Sequence, residues 1–127
     1  MSVRAPSEGW SFEAVGFEQA ISYFSLDALP RRTILCSTDR TAFGVLAAAS
    51  QRGLRVSRSG DPGDIRVAGH DDHPLSRFAS PSLTTVAQNS AEMASHAVDL
   101  LASREVETRS VKEVKLLEAK LVMRDSA

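Results

Sequence analysis

The sequence predicts an α/β domain, a mostly parallel sheet flanked by helices, and three observations carry that expectation. Apolar residues at helical spacing alternate along the chain with short β-branched runs, in the order α-β-α-β-β-α-β-β. Parallel strands need crossover helices, and this order supplies them. Two of the runs end in polar, carboxylate-bearing stretches, "TD" at 38–39 and "HDD" at 70–72. In such sheets ligands bind in the crevice beyond the carboxyl ends of the strands.

Each element follows from local chemistry. Residues 12–25, "FEAVGFEQAISYFS", place Phe17, Ala20, Ile21 and Phe24 at helical spacing. Ser11 is the expected N-cap, Glu13 complements the positive helix end, and Pro30 forbids continuation. "TILCS", 33–37, reads as a buried strand. A second helix over 40–52 carries Val45, Leu46 and Ala49 on one side, with Asp39 as its expected cap and Gly53 as its C′ residue. Turn chemistry fills 55–64, with Gly60, Pro62 and Gly63. "IRVAG", 65–69, and "SLTTV", 82–86, read as strands.

Asn89 with Glu92 comes close to a capping box. It opens a helix over about 90–103 whose Ala94, Ala97, Val98 and Leu101 share one face. The tail alternates at Val114 and Leu116, and again at Leu121 and Met123. It reads as two short strands broken near Glu118 and Ala119.

Composition narrows the function. The 127 residues, 43% of them hydrophobic, suit one globular domain. Fifteen Lys and Arg nearly cancel sixteen Asp and Glu. No basic face interleaved with aromatics is present, so this chain alone is not expected to bind DNA or RNA. The local thickening of Arg31, Arg32, Arg40, Arg52, Arg55, Arg58 and Arg66 reads as solvated surface. A single cysteine, Cys36, excludes an intramolecular disulfide and fits a reducing compartment. No apolar signal core or membrane-length window appears. A cytoplasmic chain, apart from membranes, is expected.

The knot "GHDDHP", 69–74, invites a metal or catalytic reading. Four consecutive residues in a tight loop rarely turn toward one centre, and His96 is the only other histidine, so no metal is expected. Adjacent carboxylates do not straddle a substrate as glycosidase pairs do. Neither a G-x-S-x-G nor a phosphate-binding glycine motif is present, and Cys36 inside an apolar run reads as core. The chain reads as a non-enzyme without a cofactor.

The motifs become specific when taken in order. "DRTAFG" follows the first strand, then come "GLRV", "DIRVAGHDD", "SPSLTTV", "EM" and a closing "KLVMRDS". This series resembles the lac repressor/gal repressor family of bacterial transcription regulators. The resemblance implies the second lobe of a type I periplasmic-binding-protein-like effector domain. It starts well inside that lobe, so the family's helix-turn-helix, hinge helix and most of the first lobe have no counterpart in these residues. It also implies an extended or disordered 1–10 and an effector-sensing and dimerisation domain over 11–127. In that division 11–86 and 119–125 build the lobe, whereas 90–117 correspond to chain that packs in the first lobe. The helix over 90–103 is then expected to pack poorly, dock elsewhere or pair with another chain.

By resemblance, Asp71 is the carboxylate that accepts from effector hydroxyls, although capping of a short helix near Pro74 is an alternative role. Thr38 stands where the family often has a ligand-contacting Asn. His70 replaces a common Tyr or Phe, and Trp10 lies near a sugar-stacking aromatic, one residue out of register. Asp72 reads as a cap. The implied effector is a sugar or a nucleoside-like molecule. Dimerisation, with itself or with a full-length relative, is expected through the helix 40–52 and the segment 75–78, with Val45, Leu75 and Phe78 as candidates. The competing expectation is a truncated, non-sensing interaction module or inactive remnant that at most pairs with a full-length relative.

Overall fold

The computed structural model describes residues 11–26, 33–102 and 114–127. Helix α1 (Phe12–Phe24) starts at Ser11, whose hydroxyl accepts from the Ala14 amide, and carries Glu13 in its first turn. Strand β1 (Thr33–Leu35) leads to α2 (Asp39–Gln51). Gly53, at φ +67°, ends that helix in the left-handed region. Strand β2 (Arg66–Ala68), a 3-10 helix (Pro74–Arg77), β3 (Thr85–Ala87), α3 (Ser90–Ala102) and β4 (Lys120–Val122) follow.

β1 and β2 pair in parallel, Ile34 opposite Val67. β3 and β4 pair antiparallel, Val86 opposite Leu121. A parallel bridge from Ala68 to Thr84 joins the two ladders, so the spatial order is β1-β2-β3-β4. Ser126 clasps the join. Its hydroxyl donates to the Val67 carbonyl (2.6 Å) and accepts from the Thr84 amide (2.8 Å), while its own carbonyl accepts from the Val67 amide (2.8 Å).

The core lies between this sheet and the α1–α2 pair. Ala42, Val45, Leu46, Ala48 and Ala49 of α2 meet Ile65, Val67 and Leu83, with Phe17, Ile21 and Phe24 of α1 packed at the margin. The helices approach closely because glycines face each other's backbone. A Cβ on Gly16 would overlap the Thr41 carbonyl, and one on Gly44 the Glu13 carbonyl.

Five expectations change. β1 is not a buried strand: Thr33 and Leu35 are exposed, and Ile34 packs at the margin of the core. Thr38, not Asp39, caps α2, its hydroxyl accepting from the Thr41 amide (3.1 Å). Asp39 is instead the first helical residue and is fully buried. Neither Asp71 nor Asp72 caps the 3-10 helix, because the His73 ring nitrogen accepts from the Leu75 amide there (3.1 Å). The strand expected through Val114 and Leu116 does not form; among the described residues of the tail, only Lys120–Val122 is a strand. Alternation gives a strand its two faces, but the ladder needs an edge. The β3 edges are taken by β4 and by the bridge to β2.

The α3 cap follows the expected chemistry, with Asn89 accepting from the Glu92 amide and donating to its carboxylate. Yet α3 buries none of its residues, and Ala94, Ala97, Val98 and Leu101 are all exposed. The residues 1–10, with Trp10, and Pro30 lie outside the described residues.

Candidate functional site

The loops after β1 and β2 meet at one edge of the sheet, tied by the Asp39 amide donating to the His70 carbonyl (2.8 Å). Asp39 organises this edge from beneath. Its carboxylate accepts from the Thr85 hydroxyl (2.5 Å), the Ser76 hydroxyl (2.6 Å) and the His73 amide (2.8 Å). A buried carboxylate is tolerated where donors saturate it, and three donors from three segments do so here. Cys36, just past β1, is held up at about 11 by burial, with the Asp39 charge adding to the effect, and is therefore a poor nucleophile.

Above Asp39 the chain takes an unusual path. Asp71 has φ 116° and Asp72 φ 51°, both in the left-handed half where non-glycine residues store roughly 1–3 kcal/mol each. The loop is fixed at both carboxylates. Asp72 pairs with Arg124 (2.6 Å), whose guanidinium also donates to the Leu83 carbonyl (2.7 Å). The Asp72 amide leans on the Thr85 hydroxyl (3.3 Å). Asp71 is thereby presented at the edge of the sheet with 42% of its side chain exposed, accepting from Gln88 Nε2 (2.8 Å) beside His70 Nδ1 (3.1 Å).

Of the candidates from sequence, His70 and Asp71 are brought together, with Thr38 on the adjoining loop. Thr38 is already engaged, its hydroxyl sharing hydrogen bonds with the Thr41 amide and hydroxyl (3.0 Å). Gln88, Arg124 and the structural role of Asp39 were not foreseen. Gln88 carries no local signal, and only the parallel placement of β3 beside β2 delivers it to Asp71. Arg124 stood in the "KLVMRDS" ending without an assigned partner.

The pairing candidates divide. Phe78 (76% exposed) and Leu75 (57%) protrude beside a hollow of about 470 Å³ lined by Phe43, Leu46, Ala47 and Ala79. Val45 is 4% exposed and belongs to the core. Its helical position turns it inward, so it is not available to a second chain. Among the described residues no cluster of three metal-ligating side chains occurs, and no helix is long and apolar enough to cross a membrane.

A family model of periplasmic binding protein-like domains matches residues 4–127. The chain belongs to that family. Within these periplasmic binding protein-like domains it matches repressors. It is 34% identical over 119 residues to the HTH-type transcriptional repressor PurR of Pasteurella multocida, covering 94% of this chain and 34% of that protein. It is 34% identical over 93 residues to the ribose operon repressor of Haemophilus influenzae, covering 73% of this chain and 26% of that one.

Among solved structures, the lac repressor dimer bound to operator and the anti-inducer ONPF superposes with TM-score 0.75 at 30% identity, over 89% of this chain and 37% of that chain. The lac repressor bound to ONPG gives TM-score 0.77 at 30% identity, over 93% and 34%. The chain is thus similar to one part of lac repressor-type proteins, and it spans about a third of the length of the first of these relatives.

Proposed function

We propose that this periplasmic binding protein-like segment forms one wall of the effector cleft of a cytoplasmic lac repressor-type regulator, with Asp71 as principal acceptor. The observation that carries this reading is the Asp71 loop. Left-handed backbone at two successive carboxylates is braced by Asp39 below and Arg124 beside it, and it leaves the Asp71 side chain partly exposed at the sheet edge. An ionised carboxylate on a braced loop is suited to accept from hydroxyls or ring N–H groups of a small polar molecule.

The effector is a sugar or a nucleoside-like molecule, contacted by Asp71 and His70, with Thr38 at the margin; Trp10, outside the described residues, is a candidate by resemblance alone. Its occupancy shifts the regulator between states of different DNA affinity. The chain performs no catalysis and does not bind DNA by itself. It pairs with a second copy or a longer relative through Leu75 and Phe78.

Titration calorimetry with D-ribose, D-galactose, adenosine and hypoxanthine tests sensing. Binding by at least one of them, lost in Asp71→Asn, is expected; no heat from any member of the panel overturns the sensing role. Light scattering tests pairing, where a dimer that Phe78→Glu converts to monomer is expected. A specific gel shift by this chain alone overturns the assignment of DNA reading to other parts of the regulator.

A further inference from the structure

His70 is a partly exposed residue of the loop after β2 whose hydrogen-bonding role changes with one proton, and its neighbours are arranged around that change. Its Nδ1 lies 3.1 Å from Asp71 Oδ1 and 3.2 Å from Gln88 Nε2. Gln88 Nε2 in turn stands 2.8 Å from the same Oδ1. The three atoms close a triangle. An amide nitrogen donates two hydrogens, a carboxylate oxygen only accepts, and a ring nitrogen does one or the other.

With Nδ1 bare, Gln88 donates one hydrogen to Asp71 and the other to His70. With Nδ1 protonated, the ring donates to Asp71 itself, and its contact with Gln88 becomes donor against donor. The two proton states cannot keep the same triangle.

We propose that His70, Asp71 and Gln88 form a proton-operated toggle on the acceptor loop. Gln88 holds the neutral ring as its Nε2–H tautomer. Protonation turns Nδ1 into a donor to Asp71, puts a positive charge on the ring beside that carboxylate and releases the Gln88 amide. Histidine is the residue type that changes charge between about pH 5 and 8.

The surrounding charges leave Asp71 as the counter-charge. Asp72 of the same loop is paired with Arg124 (2.6 Å). The Asp39 carboxylate, from α2 below, is enclosed by the His73 amide, Ser76 and Thr85. Glu92 at the start of α3 is engaged by Asn89 (2.6 Å) and Lys115 (3.5 Å). The functional consequence rests on Asp71 being the effector acceptor: an imidazolium then competes with a neutral polyhydroxy effector, and capture weakens on acidification.

The toggle itself is tested without an effector. Imidazole and side-chain amide resonances of the ¹⁵N-labelled chain are followed from about pH 8.5 to about pH 5. The expected result is an Nε2–H tautomer at the alkaline end and Gln88 amide resonances that move with the His70 transition. In His70→Phe the Gln88 resonances should stay still across the range. In Gln88→Leu the neutral ring should shift toward the Nδ1–H tautomer. An Nδ1–H tautomer in the wild-type chain at the alkaline end overturns the proposal, as does a Gln88 amide that ignores the His70 transition. Either failure leaves the calorimetric test of sensing standing, and a silent effector panel leaves the toggle standing.

Discussion

Asp39 shows how much a single side chain decides here. Its adjacency to Thr38 suggested a helix cap, because carboxylates and hydroxyls compete for that position and both suit it. Burial settles the division of labour: Thr38 caps at the rim, and Asp39 collects donors inside. Thr85→Val, which removes the 2.5 Å donor, should lower stability by about 1.5–3 kcal/mol, as expected for a hydrogen bond to a charged group. Thr85→Ser should restore most of it. Urea denaturation of the three proteins checks this, and equal midpoints for Val and Ser would show that the hydroxyl is irrelevant.

Two further residues give pH-linked outcomes. The Arg40 guanidinium hydrogen-bonded to Glu13 holds that carboxyl down at about 2, from an ordinary 4.5. A depressed carboxyl contributes stability above the unfolded value and loses it as pH falls from about 4.5 to about 2. Both side chains are wet, so the contribution is small and screened by salt. Thermal midpoints of wild type and Glu13→Gln should therefore converge as pH falls through that window. Cys36, raised from 9.0 to about 11, should be alkylated roughly a hundredfold more slowly near pH 8 than in the unfolded chain, following the loss of thiolate. Its raised value contributes stability below pH 9 that is lost as pH climbs toward about 11. Equal alkylation rates in native and urea-unfolded protein would contradict the burial of this thiol.

At the scale of elements, α1 and α2 were legible because their caps and apolar spacing are local properties. Their distance of approach was not. Gly16 and Gly44 look like helix-weakening residues in the sequence, yet each marks a backbone-to-backbone contact. Gly44→Ala gains helix propensity but must displace the Glu13 carbonyl, so a net loss of about 1–3 kcal/mol is expected. An unchanged or raised thermal midpoint would mean that α1 shifts freely.

The strands were legible as runs and not as partners. "SLTTV" contributes Leu83 to the core and Thr84 to the bridge, but its ladder begins only at Thr85. Val114 and Leu116 carry the same alternation but pair with no described strand. The Asp71 site was legible only in half: the motif located the carboxylate, whereas Gln88 reaches Asp71 from 17 positions later and Arg124 reaches Asp72 from 52, distances that no local pattern encodes.

Across the whole molecule, burial is uneven. The sheet and the α1–α2 pair share a core, whereas α3 exposes its apolar face, and Leu116, Leu121 and Met123 are exposed as well. Large side chains left wet forgo roughly 1.5–3 kcal/mol apiece, so α3 should open far more readily than α2. Native-state hydrogen exchange checks this: the α2 amides of Ala42–Ala49 should approach global protection while those of α3 exchange through local opening. Equal protection would mean that α3 has found a cover in solution. The resemblance left α3 to pack poorly, dock elsewhere or pair with another chain, since it aligned that helix with chain that packs in another lobe. Composition alone gave no hint, because α3 has the same amphipathic pattern as a helix with a place to lie.

The Ser126 clasp bears on the time at which this sheet becomes a sheet. The hydroxyl that spans β2 and β3 lies 59 residues beyond Val67 and 42 beyond Thr84. A ribosome delivers β1, α2 and β2 together, and those can assemble as they emerge. The bridge from Ala68 to Thr84 can form earlier, but its clasp must wait until residue 126 has cleared the exit tunnel, several seconds later at ordinary elongation rates of about 5–20 residues per second. During that interval the nascent chain presents an unsealed strand edge, the kind of surface that chaperones shield and that neighbouring nascent chains capture. Synthesis speed over the last third of this sequence is therefore a determinant of how much of it reaches the native state.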